Sequence, residues 1–307
     1  MTTVDKLEES LYLKLREVSE SPDLEVKLLL CYVLNCTKEE LVLLSSKEIP
    51  TAVENKALEL VKKRLLGYPI DYIIGYRYFY NDKFYVSPDT LIPRPETELL
   101  VDLALTEINS YPPSKKNISI LEIGTGTGCI SISIASQLVS KHYSENREIT
   151  FIATDISENA LHIAKKNLNH LINDQSNTPF NFIHADIYTP FNKEENGLLS
   201  KQRYDLIVSN PPYIPSSRLK DLPSLVQHEP EIALDGGKDG NSLIKRIVEE
   251  VWPYTKNNSA FILEIYEESE NSLRELLNEY SKNYNFHYKF LPDLTGRIRF
   301  LTLHRTK

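Results

Sequence analysis

Cysteine is scarce in this chain of 307 residues, limited to Cys31, Cys36 and Cys129. The three form no CxxC pair and leave one odd. That argues against a disulfide framework or a zinc site and fits a reducing compartment. The plain expectation for each is a small buried hydrophobe. Also missing is any run approaching the roughly 20 apolar residues of a membrane span. Residues 1–25 are acidic, with neither an apolar signal core nor the Arg-rich composition of a transit peptide. An intracellular protein is expected, in the cytoplasm or, in a eukaryote, the mitochondrial matrix. There is no basic surplus: 35 Lys+Arg stand against 43 Asp+Glu, a net charge of −8, which argues against a protein that coats nucleic acid. The histidines (His142, His162, His170, His184, His228, His287 and His304) are scattered. His162 and His170 lie too far apart on one helical pattern to share a metal, and no metal site is expected.

Hydrophobic residues make up 41% and charged residues 25%, enough apolar material for a large core, and the length predicts two domains. Residues 1–66 read as helical. Leu7, Leu11, Leu13 and Leu15 precede a polar break at 19–23, and an apolar run extends from Leu24 to Leu34. Thr37 with Glu40, and Thr51 with Glu54, carry the spacing of capping boxes. Residues 68–93 turn aromatic and β-branched around Asn81-Asp82, a pair that predicts a hairpin turn. Pro93 and Pro95 lead into a helix with Glu96 and Glu98 in its first turn. From 118 onward, apolar runs at 118–123, 149–154, 180–185, 204–208 and 259–265 alternate with helical patterns at about 128–140, 157–171, 241–252 and 268–281. Alternation of this kind predicts an α/β fold with a mostly parallel, doubly wound sheet. The stretches 286–291 and 297–304 read as an antiparallel pair at its edge, and the polar stretches 171–179 and 190–202 as loops. The expected division is a helical domain over 1–75, a β-hairpin linker over 76–93 and the sheet domain over 94–307.

The segment Gly124-Thr125-Gly126-Thr127-Gly128 follows the first of these strands and opens a helix. Glycines there permit a tight turn and a close approach of ligand, and the helix N-terminus offers free N–H groups. The next residue is Cys129, so the GxGxxG pyrophosphate fingerprint is absent, as is a GxxxxGK[ST] loop. Asp155 ends the second strand, placed to accept from ribose hydroxyls. Asp186 ends the third, where a carboxylate suits an exocyclic amine and Ile187 suits the face of a ring. Together these parts fit an adenosine-containing ligand with a charged tail. The pattern resembles the S-adenosylmethionine site of Rossmann-like class I methyltransferases.

Asn210-Pro211-Pro212-Tyr213 ends the fourth strand. Two prolines force the chain out of the sheet and stiffen it. Neither offers an N–H, so the site is rich in rigid acceptors, which suits an NH₂ group; Tyr213 adds an aromatic face. The NPPY tetrapeptide at this point resembles that of methyltransferases acting on planar nitrogens.

Beyond these motifs, three segments are similar to the release factor glutamine N5-methyltransferases: Pro69 to Gly75, Leu91-Ile92-Pro93-Arg94-Pro95-Glu96-Thr97-Glu98, and Glu229 to Gly240. Asp293 to Arg297 with Arg299 adds a fourth. The resemblance spans nearly the whole chain. It implies methyl transfer from S-adenosylmethionine to the glutamine of the Gly-Gly-Gln (GGQ) loop of a class I peptide chain release factor. It also implies a substrate site at Asn210, Pro211, Pro212 and Tyr213, and a cofactor site at Gly124–Gly128, Asp155, Asp186, Ile187 and Asn210. The helical domain would help to grip the release factor, and a monomer with no nucleic-acid or membrane partner is expected. Tyr266 stands where the family usually has glycine, and Ile187 where a ring is often seen. Arg94 and Glu96 are candidates either for a hinge or for the cofactor mouth. The alternative is a DNA N6-adenine methyltransferase. NPPY fits it equally well, but the acidic charge and the single evident stacking ring, Tyr213, count against it.

Overall fold

The structure, a computed structural model, describes residues 2–140, 147–172, 178–192, 199 and 202–306. His142 and the middle parts of the two polar stretches lie outside the described residues. The chain divides into two compact units: Met1–Tyr76 with Leu222–His228, and Arg77–Asp221 with Glu229–Lys307. No helix of the described residues is long and apolar enough to cross a membrane.

The first unit contains helices α1 (Val4–Leu15), α2 (Pro22–Leu34), α3 (Lys38–Leu43), α4 (Thr51–Leu65) and α5 (Ile70–Ile74). Strands β1 (Thr2–Thr3) and β2 (Glu48–Ile49) pair antiparallel beside them. Leu7, Leu11 and Leu15 recur at helical spacing and face Leu29 and Leu30 of α2 and Ala57 and Val61 of α4 in one core. Leu13 is off that stripe and is 51% exposed. Thr37 and Glu40 form the predicted capping box, bonding each other's backbone N–H at 3.2 and 2.8 Å. The second box does not form. Val53 and Glu54 donate to the Pro50 carbonyl, so Pro50 is the N-cap and Thr51 is already helical. Buried Arg64 is held by Glu25 at 2.8 and 3.1 Å and by the Val18 carbonyl at 3.2 Å. In the Leu222–His228 segment, His228 stacks on Tyr68 with ring centres 4.3 Å apart.

Strands β3 (Tyr76–Phe79) and β4 (Asp82–Tyr85) form a hairpin, followed by a 3₁₀ turn at Pro95–Thr97 and helix α6 (Glu98–Ser110). The turn is Tyr80-Asn81, both left-handed with φ of 51° and 69°, one residue earlier than the expected Asn81-Asp82. Helix α6 sets the difference: Tyr80 donates its N–H to Glu98 (2.9 Å) and its hydroxyl to Asp102 (2.6 Å). These tertiary bonds hold a bulky residue in a conformation that usually favours asparagine or glycine.

Then follow β5 (Asn117–Ile123), α7 (Cys129–Ser140), β6 (Glu148–Asp155), α8 (Glu158–Leu171), β7 (Phe180–Asp186), β8 (Thr189–Pro190) and β9 (Tyr204–Ser209). They are succeeded by α9 (Ser242–Glu250), β10 (Thr255–Glu264), α10 (Glu270–Tyr280), β11 (Phe286–Pro292) and β12 (Ile298–Arg305). One eight-stranded sheet runs β11-β12-β10-β9-β5-β6-β7-β8. The strands β10, β9, β5, β6 and β7 pair in parallel, as the alternating pattern predicts. The last strand, β12, inserts between β10 and β11 and is antiparallel to both, so only β11 reaches that edge. Side chains alternate across the sheet: Ile118 and Ile120 join one core with α6 and α7, while Leu121 and Ile123 join the other with α9 and α10.

Strand β8 pairs with β7 through a two-residue turn, Ile187-Tyr188, and its Pro190 falls at the start of the stretch 190–202 expected to be a loop. Ile187 has φ of 53°, a region costly for a β-branched residue.

One buried side chain ties three parts of this unit together. Asn167 of α8 accepts from the Tyr85 N–H (2.7 Å) and donates to the carbonyls of Tyr85 (3.0 Å) and Thr127 (2.9 Å). Asn167→Ala leaves those backbone groups without partners. The expected loss is about 2–4 kcal/mol of unfolding free energy in urea titration. A loss under about 0.5 kcal/mol would show that the groups find other partners.

Candidate active site

Strand register sets the site. Ile123 of β5 lies beside Thr154 of β6 and Ser209 of β9, and Ser209 lies beside Leu263 of β10. The residues that follow, Gly124, Asp155, Asn210 and Glu264, therefore emerge level at the carboxyl edge of the sheet. The chain order reverses between β5 and β9, and a crevice at such a switch point is the expected ligand site of an open α/β sheet. A cavity of about 430 Å³ opens there.

Of the predicted site residues, Gly124, Thr125, Gly126, Thr127, Asp155, Asp186, Ile187, Asn210 and Pro212 all line this one cavity. Gly128, Pro211 and Tyr213 do not. Gly124 and Gly126 have φ of 68° and 55°, and a Cβ on either would meet nothing within 4 Å. They serve the backbone turn and leave open space beside it. Gly128 serves packing: its Cβ would stand 2.6 Å from Ile132 Cδ1 of α7. Asp155 accepts from the N–H groups of Gly126 (2.8 Å) and Ser157 (2.9 Å), which fixes its carboxylate at the cavity wall. Burial raises its pKa, and these backbone bonds oppose the rise. Asp186 is held by Arg246 of α9 at 3.1 and 3.3 Å, and Arg246 itself lines the cavity.

The tetrapeptide end of the cavity rests on residues that motif reading did not assign. Asn210 donates its Nδ2–H to Thr97 Oγ1 at 3.0 Å. Thr97 donates its hydroxyl to Glu264 Oε2 at 2.8 Å, and Tyr213 donates its own to Glu264 Oε1 at 3.3 Å. Arg299 of β12 stands 3.9 Å from Glu264 and bonds Asp293 at 3.2 Å. Burial pushes the Glu264 carboxyl up to about 7, against the pull of Thr97, Arg299 and Tyr213. A usable signal was present: a lone carboxylate inside the apolar run Phe261 to Ile265.

Glu122, beneath the glycine turn, is a second buried carboxylate. Its Oε2 accepts from Thr125 Oγ1 (2.7 Å), from Ser131 N–H (3.3 Å) and from the Ser131 hydroxyl. Its Oε1 has no partner among the described residues, and burial pushes the carboxyl up to about 7.

Two of the separated segments are joined directly. Glu229 accepts from the Ile92 N–H at 2.9 Å and from Arg94 at 2.5 Å. Arg94 lines the cavity and Glu96 does not. The loop at 234–240 pins the chain after Tyr213: Ile214 N–H bonds the Leu234 carbonyl, and Gly236 N–H bonds the Ile214 carbonyl. A Cβ on Gly236 would stand 2.7 Å from Tyr213 Cα, which requires glycine there.

The sheet order and the glycine-lined crevice at its switch point define a class I S-adenosylmethionine-dependent methyltransferase. Residues 114–292 match the methyltransferase domain family, and residues 10–75 match the PrmC N-terminal domain. Among solved structures, the hMettl16 catalytic domain in complex with a MAT2A 3′UTR hairpin shares the fold, with a TM-score of 0.50 and 17% identity over 73% of this chain and 74% of that one. A release factor glutamine methyltransferase of Bacillus cereus is 32% identical over 89% of each chain. That of Rhodopirellula baltica is 32% identical over 94% of this chain and 90% of its own. A bifunctional methyltransferase of Rickettsia bellii is 36% identical over 80% of this chain but only 45% of its own. The chain belongs to the release factor glutamine methyltransferase family. None of these matches supports the DNA-methylating alternative.

Glu122 makes stability depend on pH. Its pKa rises from 4.5 to about 7 on folding, so its contribution is complete at low pH and is lost as pH climbs through about 7. Glu122→Gln keeps the acceptor oxygen and removes the charge. Its melting temperature relative to wild type is expected to rise between about pH 5 and about pH 8. Parallel curves for the two proteins would show that Glu122 does not carry this effect.

Proposed function

We propose that this protein transfers a methyl group from S-adenosylmethionine to the side-chain amide nitrogen, N5, of the glutamine in the Gly-Gly-Gln loop of a class I peptide chain release factor. One observation carries the reading: a single cavity is lined both by the glycine turn with Asp155 and by Asn210. Its parts fit the cofactor. The turn at Gly124 and Gly126 leaves room for a zwitterionic tail, Asp155 offers a fixed acceptor for ribose hydroxyls, and Ile187 offers an apolar wall for a flat base. When bound there, S-adenosylmethionine supplies a methyl group already activated by its sulfonium sulfur.

The chain's part is orientation. An amide nitrogen is a weak nucleophile because its lone pair is delocalised. Asn210 Oδ1 and neighbouring backbone carbonyls accept the two N–H bonds of the glutamine amide and fix the nitrogen's direction. Prolines at 211 and 212 hold these acceptors rigid and add no competing N–H. Orientation of this kind supplies roughly 7–11 kcal/mol of a barrier. Tyr213 stands outside the cavity lining, and its hydroxyl bond to Glu264 anchors the end of the tetrapeptide. The helical unit helps to grip the protein substrate. The enzyme works where release factors work, in the cytoplasm or the mitochondrial matrix.

Mass spectrometry of a release factor incubated with the enzyme and S-adenosylmethionine is expected to reveal a gain of one methyl, mapped to the Gly-Gly-Gln glutamine. Methylation of duplex DNA in place of the protein would overturn the reading. Asn210→Ala is expected to abolish transfer while the protein stays folded. Asp155→Ala is expected to weaken cofactor binding by roughly 1.5–3 kcal/mol, through loss of a charged acceptor; unchanged affinity by calorimetry would remove Asp155 from the cofactor site.

A further inference from the structure

A carboxamide has nearly the same shape in its two orientations, 180° apart about the Cβ–Cγ bond, and only its hydrogen-bond partners choose between them. For Asn210 the choice matters. Its oxygen accepts the substrate's N–H, whereas its NH₂ would oppose that N–H donor to donor.

We propose that Thr97, backed by Glu264, is the positioning residue that holds the Asn210 amide with its oxygen toward the cavity. This inference rests on the function proposed above. A threonine hydroxyl has one proton and can either donate or accept toward a neighbour, so Thr97 alone selects nothing. Glu264 makes the selection. It is fully buried, and above about pH 7, where it is a carboxylate, it can only accept. It takes the Thr97 proton at 2.8 Å. The Thr97 oxygen then has only lone pairs for Asn210, and the group facing it must be the donor, Nδ2, found at 3.0 Å. The amide oxygen is thereby turned the other way, and among the described residues no donor reaches it.

The relay depends on where its members sit. Glu264 ends β10 level with Asn210 at the end of β9. Thr97 closes the 3₁₀ turn before α6 and is itself buried. Tyr213 and Arg299 occupy the other carboxylate oxygen, at 3.3 and 3.9 Å, so Oε2 is left to Thr97. The same carboxylate thus serves both ends of the tetrapeptide, Asn210 through Thr97 and Tyr213 directly.

The test compares wild type with Thr97→Val, which keeps the shape and loses the hydroxyl, and Thr97→Ser, which keeps the hydroxyl. At about pH 8.5 Glu264 is ionised. The Asn210 side-chain NH₂ signals in a ¹H–¹⁵N spectrum, assigned by their disappearance in Asn210→Asp, report the relay without any methyl acceptor. Thr97→Val is expected to shift these signals and speed their exchange with water, and Thr97→Ser to return them toward wild type. Glu264→Gln, which can donate to Thr97 as well as accept, is expected to loosen the same signals. In release factor methylation, Thr97→Val is expected to lower kcat about tenfold, the order of one lost orienting bond, with unchanged S-adenosylmethionine affinity. Asn210 signals unmoved in Thr97→Val, or a kcat loss matched by an equal loss of cofactor affinity, would overturn the proposal. A wild-type enzyme that methylates no release factor would instead sink the functional reading, and the amide signals would still decide whether Thr97 orients Asn210.

Discussion

Everything in the catalytic unit hangs on the register of four parallel strands. Because β5, β6, β9 and β10 are level where Ile123, Thr154, Ser209 and Leu263 lie side by side, the next residue of each reaches the same edge. A slip of one residue in any strand would turn its side chains to the opposite face and withdraw one member of the site. The alternation of Ile118 and Ile120 against Leu121 and Ile123 into two different cores resists such a slip. The hydrophobic effect, acting on residues that touch no ligand, is what aligns the polar ones.

Alignment brings two carboxylates, Glu122 and Glu264, out of water. Each is fully buried, and each has its pKa pushed up to about 7 by that burial. Desolvated charges of this sort oppose folding unless donors compensate them. Glu264 collects Thr97 and Tyr213, with Arg299 nearby. Glu122 collects Thr125 and Ser131 on one oxygen only. Both lie against segments that must be held still: Glu122 under the glycine turn, Glu264 beside the tetrapeptide. Stability is spent where rigidity is useful.

The fold was largely legible because its signals are local. Apolar runs marked β5, β6, β7, β9 and β10 to within a few residues, and Thr37 with Glu40 announced the start of α3. The failures have different causes: Pro50, a chain neighbour, displaces Thr51 as N-cap, whereas at the hairpin a tertiary bond overrode a local preference. Tyr80 takes the turn position because Glu98 and Asp102 hold it. Ile187 bends where no turn residue is written. In the site, the glycine turn, Asp155 and Asn210 could be read because each closes a strand in a recognisable motif. Thr97 and Glu264 could not be paired, since they lie 167 residues apart and meet only through sheet register. Arg246 escaped for the same reason, reaching Asp186 across 60 residues.

Ile187 carries one more implication. Its left-handed backbone would be relaxed by glycine, so substitution there would look attractive to any selection for thermal tolerance alone. Yet its side chain is a wall of the cavity. At this position, backbone relaxation and side-chain packing compete within a single residue. Buried in the core with Leu121, Ile123 and Ile183, the isoleucine side chain sets its packing against the strain of its own backbone at the end of β7.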